Sequence, residues 1–473
     1  MAHGTLLPRC TPAQAGLDPR RVLLMLDQWR DRGIRMNSFL LVRHGRVLCE
    51  GYFAPYGPDQ LQTVYSLSKT FTSLAVGIAA GEGRIGLDER VIDVLPDALR
   101  RAGVAPDEHL QTLTLRHLLR MSTGQPREPK NGWDDLEAAF LKEPFTEAPG
   151  EVFRYNTIAT YMLSASLKAR GIDLEDYLQE KLLTPMGVTG THWQRDCRGT
   201  CTGGFGFCLF PEVIAKLGVL ILQDGVWEGR QLVPKEYLAL ATRTQISKPA
   251  DALLPRNDWN AGYGYQMWMC QSGAFRGDGM YGQYCIMDRR TDTVLAATAL
   301  TMDMQGELNA YTDCVLTAYQ PDPLPEDDEA MAALTARLQS LRHDRPLPED
   351  DGAPLPESCL NRPFPLPGGA TGRLTATEDG VLLDLAGEAI PAPRGRYATR
   401  QLPLSVTADL TCREDFPVPV MATCATQGGA LTVRLFQPVM LTESTLTLSP
   451  DGTVRFCLTT DPASPETLLE ARF

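Results

Sequence analysis

The chain has 473 residues, enough for two or three domains with cores of their own. At 43% hydrophobic and 22% charged, with no low-complexity bulk, its composition is that of a soluble globular protein. The formal charge of −13, from 45 basic and 58 acidic residues, argues against a nucleic-acid backbone as partner, and neither a polybasic patch nor an apolar run of about 18 residues points to a membrane.

Asp18-Pro19 supplies a capping carboxylate and a proline at the first helical position, so an amphipathic helix is expected over Val22 to Trp29, ending at Gly33. Phe39 to Val42, a His44-Gly45 turn, and Val47 to Cys49 running on to Phe53 read as a hairpin. A buried helix is predicted from Ser66, because Phe71, Leu74, Ala75, Ile78 and Ala79 recur at helical spacing before Gly81 and Gly83. From Leu87 to about Leu240 the pattern is mainly helical, with helices over Leu115–Met121, Ile158–Leu167 and Val213–Leu222. Strands return at Tyr263–Cys270, Tyr284–Met287 and Val294–Thr298, and a helix over Leu308–Tyr319 closes the unit. Strands from both ends flanking a helical middle predict one α+β domain over residues 1–320. Residues 321–357 read as a proline-rich acidic linker carrying a helix over Glu329–Leu341. Residues 358–473 read as an all-β barrel or sandwich, with strands at Arg373–Thr377, Val381–Leu383, Leu431–Phe436, Leu446–Leu448 and Val454–Leu458.

Met1 to Arg9 lacks the charged and apolar regions of an export signal, so a cytoplasmic location with reduced thiols is expected for the twelve cysteines. Cys197, Cys201 and Cys208 lie near His192, but their spacing fits no paired-knuckle zinc pattern and they read as loop cysteines. No metal and no organic cofactor is expected.

The chain's only Ser-x-x-Lys is Ser66-Leu-Ser-Lys69, at the start of the predicted apolar helix. One helical turn puts Lys69 beside Ser66, where a partly desolvated amine can take the hydroxyl proton. The helix N-terminus adds backbone N–H groups and a positive dipole end. The competing reading is an N-capping serine followed by a surface lysine. Further on, Pro149-Gly150 precedes Tyr155-Asn156-Thr157. Tyr155 suits a second proton relay that ionises readily beside Lys69, and Asn156 or Thr157 suits holding a substrate carbonyl or orienting the lysine. The plainer alternative for Tyr155 is a half-buried anchor for its loop. Gly277, Gly279 and Gly282 spell G-x-G-x-x-G, but a strand follows where a dinucleotide site needs a helix, so NAD is rejected. These glycines are expected to let a sheet edge approach a ligand and present an N–H to an oxyanion. Trp133 and Trp268 read as core packing or as walls of an acyl pocket.

Together, Ser66-Leu-Ser-Lys69, Gly83 to Val91, Leu115 to Gly124, Pro149-Gly-x-x-Phe153-x-Tyr155, Leu183-x-Pro185-Met-Gly187 and Gly282-Gln-Tyr284 resemble, in order and separation, the serine β-lactamase and penicillin-binding-protein superfamily. The likeness is to its class C and esterase-like branches and spans about residues 15–320. It implies Ser66 as the acylated nucleophile, Lys69 as its proton acceptor and Tyr155 as the relay. The third position of the tyrosine motif is Thr157, with Asn156 displaced to the middle. The family's third motif, Lys-Thr-Gly or His-x-Gly, supplies a cation beside the substrate carboxylate. It falls near Ala274 to Gly277, where neither lysine nor histidine occurs and Arg276 is the candidate substitute. A backbone N–H at Gly277 or Asp278, paired with that of Ser66, is the expected oxyanion hole. The resemblance thus implies a serine hydrolase acting on a small ester, amide or peptide. The alternatives are a D-amino-acid peptidase or β-lactamase, or a catalytically silent binding or scaffold protein of the same fold. A homo-oligomer is left open.

Overall fold

In the first helix, α1 (Pro19–Asp31), the Asp18 carboxylate accepts from the Arg20 N–H, and Val22, Met25, Leu26 and Trp29 form one buried stripe. The hairpin follows as β1 (Arg35–Arg43) and β2 (Arg46–Tyr52), turning at His44-Gly45 with φ of +49° and +66°. The computed structural model describes residues 6–129, 132, 134–248, 257–343, 348–366, 369, 371–385, 387–403, 417–439, 442–459 and 466–472. It divides into two units, Met1–His343 and Asp344–Phe473.

In the first unit, β1 and β2 join four strands from much later in the chain: β3 (Trp268–Met269), β4 (Phe275–Gly279), β5 (Gln283–Asp288) and β6 (Thr293–Leu300). The antiparallel order is β2-β1-β6-β5-β4-β3, so the two ends of the α+β domain share one sheet, as the sequence pattern predicts. Both faces are covered, which is why β1, β5 and β6 are buried along nearly their whole length. Phe39, Leu41, Tyr284, Ile286 and Leu295 face α1 and α5 (Met304–Cys314). Leu40, Val42, Cys285, Met287 and Val294 face α2 (Ser68–Gly81) and α4 (Pro211–Leu222). The buried helix α3 (Thr157–Ala169) packs beside α2 in that same core.

Three elements differ from expectation. Tyr263–Cys270 is a strand only at Trp268–Met269, because Gln266 stands at φ +61° and breaks the run. The closing helix ends at Cys314 and a single 3₁₀ turn, Leu316–Ala318, follows. The helix Asp328–Gln339, read as part of a linker, buries Leu334 in the α1/α5 layer and belongs to the first unit.

The second unit contains two antiparallel sheets. Four strands (Pro363–Pro365, Thr371–Ala376, Gly380–Leu385, Glu388–Pro393) make the first. Six (Ala398–Pro403, Pro417–Gln427, Ala430–Gln437, Thr442–Leu448, Thr453–Thr459, Glu466–Arg472) make the second. Alternating Leu374, Leu383, Ile390, Val420, Val433 and Leu446 fill its core.

Candidate active site

The predicted helix opens one residue pair later than the sequence suggests. Tyr65–Leu67 forms a 3₁₀ turn and α2 begins at Ser68. Tyr65 stands at φ +46°, a left-handed conformation that costs a non-glycine residue on the order of 1–3 kcal/mol. The surroundings hold it there. The Ser68 hydroxyl donates to the Tyr65 carbonyl at 2.6 Å and accepts from the Phe207 N–H at 3.1 Å, and the Tyr65 ring meets Tyr281 edge-on. This turn carries Ser66 half-buried at the end of α2.

Lys69 is 1% exposed. Its Nζ donates to Ser66 Oγ at 2.9 Å, to the Gly204 carbonyl at 2.6 Å and, more weakly, to Thr157 Oγ1 at 3.5 Å. Burial pulls its pKa from 10.5 down to about 7, against the opposing pull of the Glu128 and Asp278 carboxylates. The amine is therefore substantially neutral just above neutrality and can accept a proton.

Tyr155 lies over this pair. Lys69 Nζ is 4.9 Å from its ring centroid and its hydroxyl shares a hydrogen bond with Ser66. The ring stacks on Trp268 at 5.6 Å and leaves one side open. The expectation that Tyr155 ionises readily is corrected. Burial raises its pKa, the Asp278 charge raises it further, and the phenol stays neutral. Asn156 also departs from expectation. It is buried, its Oδ1 caps α3 by accepting from the Ala159 N–H, and its Nδ2 donates to Gln125 Oε1 at 3.0 Å. Thr157 is the neighbour that reaches the lysine, and its own N–H donates to Glu128 Oε2 at 2.7 Å.

Strand β4 runs past the nucleophile turn. A methyl group at Gly277 would lie 2.4 Å from Leu67 Cδ1 and 2.5 Å from Thr70 Oγ1, and one at Gly279 would lie 2.2 Å from the Val64 carbonyl. These glycines let the turn itself, rather than a ligand, close onto the strand. Hydrogen bonding alternates along β4: the Ala274 carbonyl accepts from Cys270, so Arg276 and Asp278 turn their backbone groups the same way and Gly277 turns its own toward β5. Beyond Arg276, β3 no longer pairs, and Asp278 lies on an open edge. Of the two expected oxyanion positions, Asp278 therefore aims its N–H outward, and Gly277 does not.

Arg276 does not substitute for the family's cation. Its side chain lies on the Ala274–Tyr284 face of the sheet, fully buried. The guanidinium donates to Asp278 Oδ2 at 3.1 Å, the Met269 carbonyl at 3.0 Å and Cys270 Sγ at 3.2 Å, and it stacks on Trp259 at 4.7 Å. Burial raises the Asp278 pKa, and Arg276, Lys69 and a Trp259 hydrogen bond oppose that rise.

Two supporting residues escaped the sequence reading. Gly204 supplies the carbonyl nearest Lys69 Nζ, in a loop whose next strand, Phe207–Leu209, pairs with Gln62–Thr63 just before the nucleophile turn. Gln266 takes a hydrogen bond from Thr160 at 2.7 Å, and its amide donates to the Leu118 and Leu119 carbonyls. Their only sequence signal is Gly203-Gly204 and an unusual polar residue in an aromatic run. Among the described residues no three His, Cys, Asp or Glu side chains gather as a metal-binding group. Trp133 lies outside the described residues. Among those residues, no helix is long and apolar enough to cross a membrane.

Comparison with known proteins bears on the fold and the family. A 6-aminohexanoate-dimer hydrolase of Paenarthrobacter ureafaciens is 26% identical over 287 residues, 55% of this chain and 71% of that protein. Two solved structures share the fold. The hydrolase EstCE1, described with promiscuous acyltransferase activity, has a TM-score of 0.53 at 17% identity, over 64% of this chain and 99% of its own. The octameric penicillin-binding protein homologue of Pyrococcus abyssi has a TM-score of 0.51 at 15% identity, over 92% and 97%. The model of the family described as Beta-lactamase matches residues 24–311, more than half of the chain. The chain belongs to the beta-lactamase family of hydrolases.

Proposed function

We propose that this protein hydrolyses an ester or amide through an acyl-enzyme on Ser66. The observation that carries this reading is the 2.9 Å contact between Ser66 Oγ and a buried Lys69 amine whose pKa is about 7. Ser66 Oγ attacks the substrate carbonyl carbon while its proton passes to Lys69. The oxyanion is held by the backbone N–H groups of Ser66 and Asp278, the second at the open end of β4. Tyr155, neutral and hydrogen-bonded to Ser66, returns the proton to the leaving oxygen or nitrogen as its bond to carbon breaks. Water then attacks the acyl carbon by the same proton route in reverse, releasing the acid and free Ser66. The chain's own residues suffice for every one of these steps.

Ester and amide chemistry is favoured over β-lactam chemistry by the position of Arg276, which leaves the site without a side-chain cation on β4 to meet a penicillin carboxylate. The name of the 26%-identical relative, a hydrolase of a 6-aminohexanoate dimer, fits the same choice. A panel of p-nitrophenyl esters, p-nitroanilides and nitrocefin, each run with the protein and its Ser66→Ala variant, tests the reading. Serine-dependent turnover of an ester or anilide is expected. Serine-dependent turnover of nitrocefin alone would overturn the substrate class.

A further inference from the structure

Beyond Arg276 the outer edge of β4 loses its strand partner, because β3 pairs with β4 only at Trp268–Arg276 and Met269–Phe275. Asp278, whose backbone N–H is the second oxyanion donor, therefore has a strand partner only on the β5 side, at Tyr284. Its side chain supplies the missing restraint. Side chains alternate along a strand, so Arg276 and Asp278 share the face opposite the one that Gly277 turns to Leu67 and Thr70. On that face the Asp278 carboxylate accepts from Arg276 Nε at 3.1 Å, and both residues are buried. The same guanidinium reaches beyond its own strand. Its Nη1 donates to the Met269 carbonyl at 3.0 Å and to Cys270 Sγ at 3.2 Å, on β3 and the turn that follows it. One planar cation with fixed donor directions thus ties the unpaired end of β4 back to β3. Trp259 stacks on this cation at 4.7 Å, and the neighbouring Asp258 carboxylate holds the β3–β4 turn by accepting from the Gln271 N–H at 2.6 Å. β3 also carries Trp268, on which Tyr155 stacks.

Resting on the Ser66 hydrolase reading, we infer that Arg276 and Asp278 are a positioning pair: their buried contact aims the Asp278 N–H into the oxyanion hole, and neither side chain touches the substrate. An oxyanion donor acts only where it points at developing charge, and loss of one such donor costs about 10²–10³-fold in rate. Releasing the tether lets the strand end turn away, which forfeits part of that factor and leaves ground-state binding almost unchanged.

Two matched substrates test this: p-nitrophenyl acetate and its thiono counterpart, O-(p-nitrophenyl) thioacetate. In each, the bond from Ser66 Oγ to the acyl carbon forms and the bond from that carbon to the aryl oxygen breaks. p-Nitrophenolate departs, and the serine proton passes to Lys69. Charge develops on oxygen in the first and on sulfur, larger and a weaker acceptor, in the second, so an aimed pair of N–H groups favours the oxo ester. The readouts are the single-turnover acylation rate, its half-saturating concentration, and the oxo-to-thiono rate ratio. Arg276→Met and Asp278→Ala are each expected to slow oxo-ester acylation at least about tenfold and to shift half-saturation less than about threefold. Each should also lower the oxo-to-thiono ratio severalfold. Asp278→Asn, which keeps an oxygen acceptor for Arg276 Nε, is expected to retain most of that ratio. The ratio is internal to each variant. The double variant Arg276→Met/Asp278→Ala leaves no unpaired buried charge, so it replaces any single variant that fails to fold. An unchanged ratio in the folded variants, whether or not the rate falls, would overturn the positioning role and leave the hydrolase reading intact. No Ser66-dependent release of p-nitrophenolate from either ester by the unaltered protein would overturn both.

Discussion

Gly204 and Ser66 share the Lys69 amine: the Gly204 carbonyl accepts from Nζ at 2.6 Å while Ser66 Oγ lies 2.9 Å away. A carbonyl can only accept, so it takes one Nζ hydrogen and holds the amine within reach of the serine. The base is therefore oriented by backbone, and its protonation state is set by burial.

The first prediction concerns pH. Catalysis requires the neutral amine, so the rate of Ser66 acylation should rise with pH through about 7 and level above it. A rate-versus-pH profile for an uncharged ester checks this, and a limb near 10.5 would place Lys69 in water-like surroundings.

The same burial has a cost in stability. The folded pKa lies below the ordinary 10.5, so between pH 7 and 10.5 the unfolded chain holds a proton that the folded chain has lost. Stability then rises with pH across that window, and the penalty is complete below pH 7. Lys69→Met should slow acylation at least about 10²-fold yet stabilise the fold, by on the order of 2–3 kcal/mol more at pH 6 than at pH 9. Urea unfolding at the two pH values measures the difference.

Tyr155→Phe keeps the Trp268 stack and removes only the hydroxyl. Its expected effect is a fall in turnover of about 10²-fold or more, with stability changed by less than about 1 kcal/mol. Steady-state kinetics and thermal melting separate the two.

Gly277→Ala tests the close approach of turn and strand. The added methyl would overlap Leu67 Cδ1 and Thr70 Oγ1, at 2.4 and 2.5 Å. Shifting the turn moves Ser66, so acylation should fall severalfold or more, while overpacking costs about 1–3 kcal/mol. Retained activity with an unchanged melting temperature would show that the turn has room to spare.

How much of this was legible in the sequence follows from which interactions are local. The Ser66–Lys69 pair depends on one helical turn, and so does the cap that precedes α1. Both were readable from spacing. Asn156 and Thr157 were separable only by the direction in which α3 leaves its cap, which tertiary packing sets. Arg276 and Asp278 share a strand face, but which face looks at Ser66 depends on how α2 crosses β4, and Gly277 and Gly279 mark that crossing without naming its side. Gly204 acts through a backbone carbonyl, which no side-chain pattern can reveal. The strand expected over Tyr263–Cys270 failed at Gln266, whose positive φ is held by contacts to residues more than a hundred positions away.

The most direct test of the central claim is the mass of the intact protein after exposure to a fluorophosphonate at pH 8, followed by peptide mapping, with Ser66→Ala and Lys69→Met alongside. One adduct is expected, on Ser66, lost in the first variant and slowed at least about 10²-fold in the second. An unmodified protein, or an adduct on another residue that persists in Ser66→Ala, would contradict it.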